Sequence, residues 1–279
     1  LTSALVSRND GTYLVAHTQM RGPLDMLTAL LGAERTEQAL HDVPDRAQAA
    51  MAKAAEAFVA VAWEQYDVIP SFHGGSAPWQ LGIWAPGSSI RFQCDSAVHV
   101  SPDLYRAVVL PHDRAIMQAF DHVVVSLSSA RTLRLAPVFA DEPELSAIAV
   151  TLDRQAGGPG FLETLQSLKT ILESKCLLVH GDVSREELEM LLKLPPRGLC
   201  LNVRVAGEPG LRRPPGGRDR RPRLPADLRP PRAVRVGAAP RGLAARARRG
   251  GAHRRRQPGG LRAPPAAVIA RPAARPRGG

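Results

Sequence analysis

The sequence predicts an α/β domain over residues 1–205, followed by a segment, 206–279, with no means of folding. Three observations lead there. Short apolar runs rich in β-branched residues, such as those at 123–128 and 147–152, alternate with stretches of helical period. Those runs are nearly continuous in hydrophobicity, as parallel strands covered on both faces are. After Val205 the composition changes abruptly. Alternation of this kind fits either a (β/α)8 barrel or a doubly wound sheet, and the pattern alone does not separate them.

The elements follow in order. Residues 12–17, Thr-Tyr-Leu-Val-Ala-His, read as a strand, and Gly22-Pro23 leads into a short helix over 24–33. Asp42, two residues before Pro44, reads as the cap of an Ala-rich helix reaching Tyr66. Met51, Ala55, Phe58 and Ala62 recur at steps of three or four and share one face. The Gly-, Pro- and Trp-rich stretch 67–89 is irregular. Residues 90–95 form the next strand. Ser101-Pro102 caps a helix to about Phe120 that Pro111 should kink. Strands at 123–128 and 147–152 follow, then a helix over 160–174 and a strand at 176–180. Ser184 and Glu187 form a capping box for a helix through Leu192, and 198–205 is the sixth strand.

The net charge of +11 is unevenly placed. Residues 206–279 hold 20 Arg, no Lys and three acids, so the front part is mildly acidic. Arg, Pro, Gly and Ala make up 60 of those 74 residues, and no aromatic, Ser, Thr or Lys is among them. Such a chain cannot bury enough apolar surface to offset its conformational entropy, so it should be disordered. Two readings stand: a GC-rich gene read out of frame, or an Arg-rich tail that binds nucleic acid non-specifically. The three cysteines are far apart with no CxxC pair, which fits a reducing cytoplasm. No apolar run reaches the roughly 18–20 residues that span a bilayer, so no membrane partner is expected.

In α/β sheets the chemistry sits at the carboxyl ends of the strands. Those positions are His17, Asp95, Ser126 with Ser128, Asp153, His180 with Asp182, and Asn202 with Arg204. Each has a plainer reading. Asp95 and Asp153 are also turn formers, Asp182 also starts a helix, and the two histidines are also ordinary loop residues. No HxxxH, HExxH or HxC spacing offers a metal site, and no GxSxG or Walker A loop is present. Gly157-Gly-Pro-Gly160 precedes a helix, but Pro159 removes an N–H donor that an anion would need, so it reads as a loop.

Several stretches, in their order, carry a resemblance. They are Gly22-Pro-Leu-Asp25, Leu31-Gly-Ala-Glu34, Asp42-Val-Pro-Asp45, Phe92-Gln-Cys-Asp95, Val100-Ser-Pro-Asp-Leu-Tyr105 with Leu110-Pro111, Leu145-Ser-Ala-Ile-Ala-Val150, Leu177-Leu-Val-His-Gly181 and Arg197-Gly-Leu-Cys-Leu201. This series resembles the uroporphyrinogen decarboxylase superfamily, which includes the haem-pathway decarboxylase and the corrinoid-linked methyltransferases. The resemblance covers about residues 5–205 and implies a TIM barrel, of which the six strands look like the third to the eighth.

It further implies cofactor-independent decarboxylation of a tetrapyrrole or related carboxylated substrate. Asp95 would stand where the family presents a catalytic, substrate-facing residue. Arg21 or Arg204 would hold a carboxylate, and Ser126, Ser128 and His180 would line the substrate. Ser126 and Ser128 fall where the methyltransferases carry His-x-Cys. Hydroxyls bind Zn²⁺ weakly, so no metal is expected and methyl transfer is the lesser reading. Asn202-Val-Arg-Val205 replaces the family's His after the eighth strand. Six of eight strands would leave two open edges and an uncovered last strand, so an unstable or inactive fragment is the contrasting expectation.

Overall fold

A computed structural model describes residues 1–10, 13–78, 82–153 and 157–205. The expectation of disorder and nucleic-acid binding for 206–279 lies outside the described residues. The domain is α/β. Strands β1 (Met20–Arg21), β4 (Ser89–Gln93), β5 (His122–Ser128), β6 (Ala147–Leu152), β7 (Cys176–Val183) and β8 (Leu199–Val205) form one parallel sheet in that order. β2 (Gly75–Ser76) and β3 (Ala85–Pro86) form a separate antiparallel ribbon. The order of the parallel sheet follows the chain with no reversal. Crossovers of one hand between successive strands, the right-handed rule for parallel units, bring the longer helices to the same face.

The side chains show it. Phe92, Val125, Leu127, Ile148, Val150, Leu177 and Val179 share one buried cluster with residues of all the longer helices. Those are α2 (Pro23–Leu31), α3 (Ala33–Asp42), α4 (Pro44–Val68), α6 (Leu110–Ala119) and α8 (Phe161–Leu172). The opposite face has only a small apolar cluster of Ile83, Val124, Ala147, Ala149 and Leu178. Edge strand β8 is half-buried, with Leu199, Leu201 and Val203 only partly covered.

Three readings of the sequence are corrected. Described residues 13–17 are not a strand. Thr18 N–H donates to Gln65 Oε1 at 2.9 Å, and the His17 ring lies against Tyr66 with centroids 3.8 Å apart. The segment is therefore held by the end of α4 and by one isolated bridge from His17 to Pro78, and pairing in the parallel sheet begins at Met20, opposite Phe92. Asp42 does not cap α4. It ends α3, and Val43 stands at the junction with no side-chain cap. The 101–120 helix is interrupted by a π-helical turn, Tyr105–Val109, between α5 (Pro102–Leu104) and α6, whereas Pro111 fits the first turn of α6 without breaking it. The Ser184–Glu187 capping box is present at the start of α9 (Arg185–Leu191) as read.

Gly22 shows how tightly β1 seats. A Cβ there would lie 2.5 Å from the Gln93 carbonyl oxygen. That atom is backbone in a central strand and cannot move aside cheaply. Gly22→Ala should cost about 1–3 kcal/mol, typical of overpacking, and the midpoint of denaturant unfolding measures it.

A buried polar network lies behind β4. The Tyr105 hydroxyl donates to Asp113 and sits 3.1 Å from Cys94 Sγ. Burial pushes the Asp113 carboxyl up to about 8, opposed by the Tyr105 hydrogen bond. The folded protein therefore holds a proton that the unfolded carboxyl releases above about pH 4. This contribution to stability is complete below that pH and is lost as pH rises toward about 8. Asp113→Asn should flatten that decline in a series of thermal unfolding curves from pH 4 to 8. An unchanged slope would show that Asp113 is not its source.

Candidate functional site

Period two in the strands decides what faces the open side of the sheet. On β4, Ile90 and Phe92 enter the main core, so Ser89, Arg91 and Gln93 face the other way. By the same alternation Ser126 and Ser128 on β5, Thr151 on β6, His180 on β7 and Asn202 on β8 share that face. The register confirms the row, since Ser128 pairs with Thr151, Thr151 with His180, and His180 with Asn202.

Arg91 is the centre of this face. It is 6% exposed, and its Nε donates to Ser126 Oγ. It forms no ion pair among the described residues. Burial lowers its pKa, and the charge of Asp95 partly opposes that. A guanidinium in this state presents unspent donors in a fixed fork, the geometry that binds a carboxylate. The Asp95 carboxyl is pushed up by burial first and by the Asp25 charge second, against the lowering effects of Arg91 and Arg131. An acid with a raised pKa beside an unpaired cation is able to hold and release a proton.

The loops carrying these groups are fixed by other carboxylates. Asp25 accepts from the backbone N–H groups of Asp95 and Ser96 at 3.1 and 2.7 Å, which caps the 3-10 turn Asp95–His99. Arg134 holds the same turn through the Ala97 and Val100 carbonyls. Asp153 accepts from Ser128 Oγ at 2.6 Å, Ser129 Oγ at 3.0 Å and Ala130 N–H at 3.0 Å, so it ties the end of β6 to the end of β5. Ser128 spends its proton on Asp153. His180 Nε2 lies 2.9 Å from Thr151 Oγ1, and its pKa is lowered by burial and then by the Arg91 charge.

The structure thus brings Asp95, Ser126, Ser128 and His180 to the carboxyl-end side of adjacent strands. Arg21, in register with Gln93, and Arg204, two residues after Asn202, fall on the same face by this alternation but at its two edge strands. Arg21 is exposed on edge strand β1, and Arg204 on edge strand β8 pairs with Asp182 at 2.7 Å. His17 is elsewhere, in a cavity among residues that precede β4 and β5. Sequence reasoning missed Arg91, Arg131 and Thr151. Arg91 had a signal: a cation between Ile90 and Phe92 in a strand whose neighbours are apolar.

Among the described residues no group of three or more His, Cys, Asp or Glu is placed to hold a metal ion, and no helix is long and apolar enough to cross a membrane. Compared with models of known families, with curated proteins and with solved structures, the chain gives no match.

The coupling of Arg91 to His180 is measurable. Arg91→Met keeps much of the stem and removes the charge, so the His180 pKa should rise, read from its imidazole resonances in an NMR titration. An unchanged His180 titration would show that the two side chains do not share one field.

Proposed function

We propose that this face is the site of a cofactor-independent decarboxylase acting on a small carboxylated substrate, with a tetrapyrrole as the first candidate. The observation that carries the reading is Arg91: a buried guanidinium with no ion pair among the described residues, beside an acid whose pKa is raised. The resemblance of residues 5–205 to the uroporphyrinogen decarboxylase superfamily supports the same chemistry. So does the unreversed strand order, which is that of a barrel rather than of a doubly wound sheet. In this reading the six parallel strands are part of a (β/α)8 barrel, and the Arg91 face is its interior.

The reaction divides between two residues. Arg91 holds a substrate carboxylate. Asp95, in its protonated form, gives its proton to a ring carbon of an electron-rich pyrrole. The ring becomes cationic and accepts the electron pair of the C–CO2 bond as CO2 leaves. A proton from water then completes the methyl group, the ring returns its added proton to Asp95, and the net change is replacement of a carboxylate by hydrogen. The ionised Asp95 stabilises the cationic ring in between. Ser126 orients Arg91, and His180 with Thr151 lines the neighbouring strand ends.

Turnover of uroporphyrinogen by the full chain, read by chromatography of the oxidised porphyrins, tests the reading. Arg91→Ala should lower kcat/KM by about 10²-fold or more, since one strong transition-state contact is worth a few kcal/mol. Asp95→Asn should lower kcat with a smaller effect on KM. Neither binding nor decarboxylation of any carboxylated tetrapyrrole by the folded protein would sink the proposal.

A further inference from the structure

A second feature lies away from the Arg91 face. A cavity of about 300 Å³ opens among Leu14, Val15, Trp63, Tyr66, Ile69 and Phe72, and Ser88 and Asp121, which precede β4 and β5, form part of its wall. It therefore belongs to the amino-terminal side of these strands. Most of this lining is apolar. One exception is His17, which is 2% exposed and has both ring nitrogens buried with no hydrogen-bond partner. One face of its ring is taken by Tyr66. Tyr66 is itself fixed, since its hydroxyl donates to the Ser89 carbonyl at 2.7 Å and lies 3.0 Å from Ser76 Oγ. The imidazole is thus held in place on a built aromatic wall, while its hydrogen-bonding edge is unused.

Leaving a buried donor and acceptor unpaired is costly, and native proteins rarely do so without a reason. An ordered water is the plain answer, but one water needs only roughly 10–15 Å³ of such space, and the cavity is far larger. Its size falls at the lower end of pockets that take small organic ligands. Burial holds the imidazole neutral, with its pKa lowered to about 4, so it offers one donor and one acceptor rather than a charge. Ser88 cannot serve a ligand equally, because its N–H and hydroxyl both donate to Asp121 at 2.9 and 2.8 Å.

We propose that this cavity is a second small-molecule site, which takes an uncharged, flat molecule carrying a hydroxyl or amide group and reads that group through His17. The aromatic and aliphatic wall accepts the ring of such a molecule. The neutral imidazole selects for the polar group, and the apolar lining disfavours a carboxylate in its place. This site is independent of the decarboxylase reading.

Phenol is the probe, with benzene and benzoate as comparators, added to the full-length chain. Binding is followed by the ¹⁵N shifts of the His17 ring and by calorimetry. Phenol should saturate with a midpoint on the order of 1 mM or below, as expected for a ligand of a few heavy atoms. Benzoate should bind at least tenfold more weakly. His17→Phe keeps a ring against Tyr66 and removes both nitrogens; it should weaken phenol about tenfold while leaving benzene unchanged. Ser71→Trp, at an exposed rim position, should block phenol without unfolding the protein. Three results would overturn the proposal: no saturable phenol binding by the folded chain, phenol affinity unaffected by both variants, or His17 shifts that report water alone. The Arg91 site is scored separately by tetrapyrrole turnover, so either reading is able to fail without the other.

Discussion

Side chains alternate between the two faces of a strand, and in this domain that alternation separates stability from chemistry. The parallel strands run in chain order, so the helices cover one face. Every second residue there, from Phe92 through Val125 and Ile148 to Val179, is committed to packing. The other face is released from that duty and carries Arg91, Ser126, Thr151 and His180. A one-residue slip in β4 would exchange Phe92 with Arg91, drive a cation into the apolar core and expose an aromatic ring. The register that holds the core is thus the same one that aims the guanidinium.

The polar face is organised by carboxylates used as clamps. Asp25 takes two backbone N–H groups at the exit of β4, and Asp153 takes two hydroxyls and an N–H at the exit of β5. Both act across elements distant in sequence, so each loop is set by a neighbour rather than by its own residues. Asp95 is a different kind of carboxylate on the same rim. Its carboxylate accepts from Gln93 Nε2 at 3.2 Å, and among the described residues it accepts no backbone N–H of this kind. The contrast in hydrogen bonding separates the acids that fix the loops from Asp95, whose carboxyl burial pushes up.

Much of the fold was legible because strand signals here are strong. Five of the six predicted strands are strands of the sheet, and the Ser184 capping box is a local device with a local signature. The first strand was not legible. Residues 13–17 have the right propensity, but Tyr66 and Gln65 at the end of α4 claim them, and no local pattern reveals a partner so far away in sequence. The site was half legible. Strand ends point to Asp95, Ser126, Ser128 and His180, and also to Arg21 and Arg204, which the register sets on the same face at its exposed edges. Arg91 is not legible from strand ends, because it lies inside β4, and a strand presents alternate interior residues to the same face as its last one.

The unreversed order of the sheet also bears on how the chain assembles. Each strand after β4 hydrogen-bonds to the strand before it in the chain, over separations such as Ser89 to His122 and Leu177 to Leu199. The entropy of closing such loops rises only slowly with their length. Parallel pairing over that range is nonetheless slower to form than local helical contacts. The same order leaves β8 with a strand on one side alone, which places Leu199, Leu201 and Val203 at the point where the domain would first open.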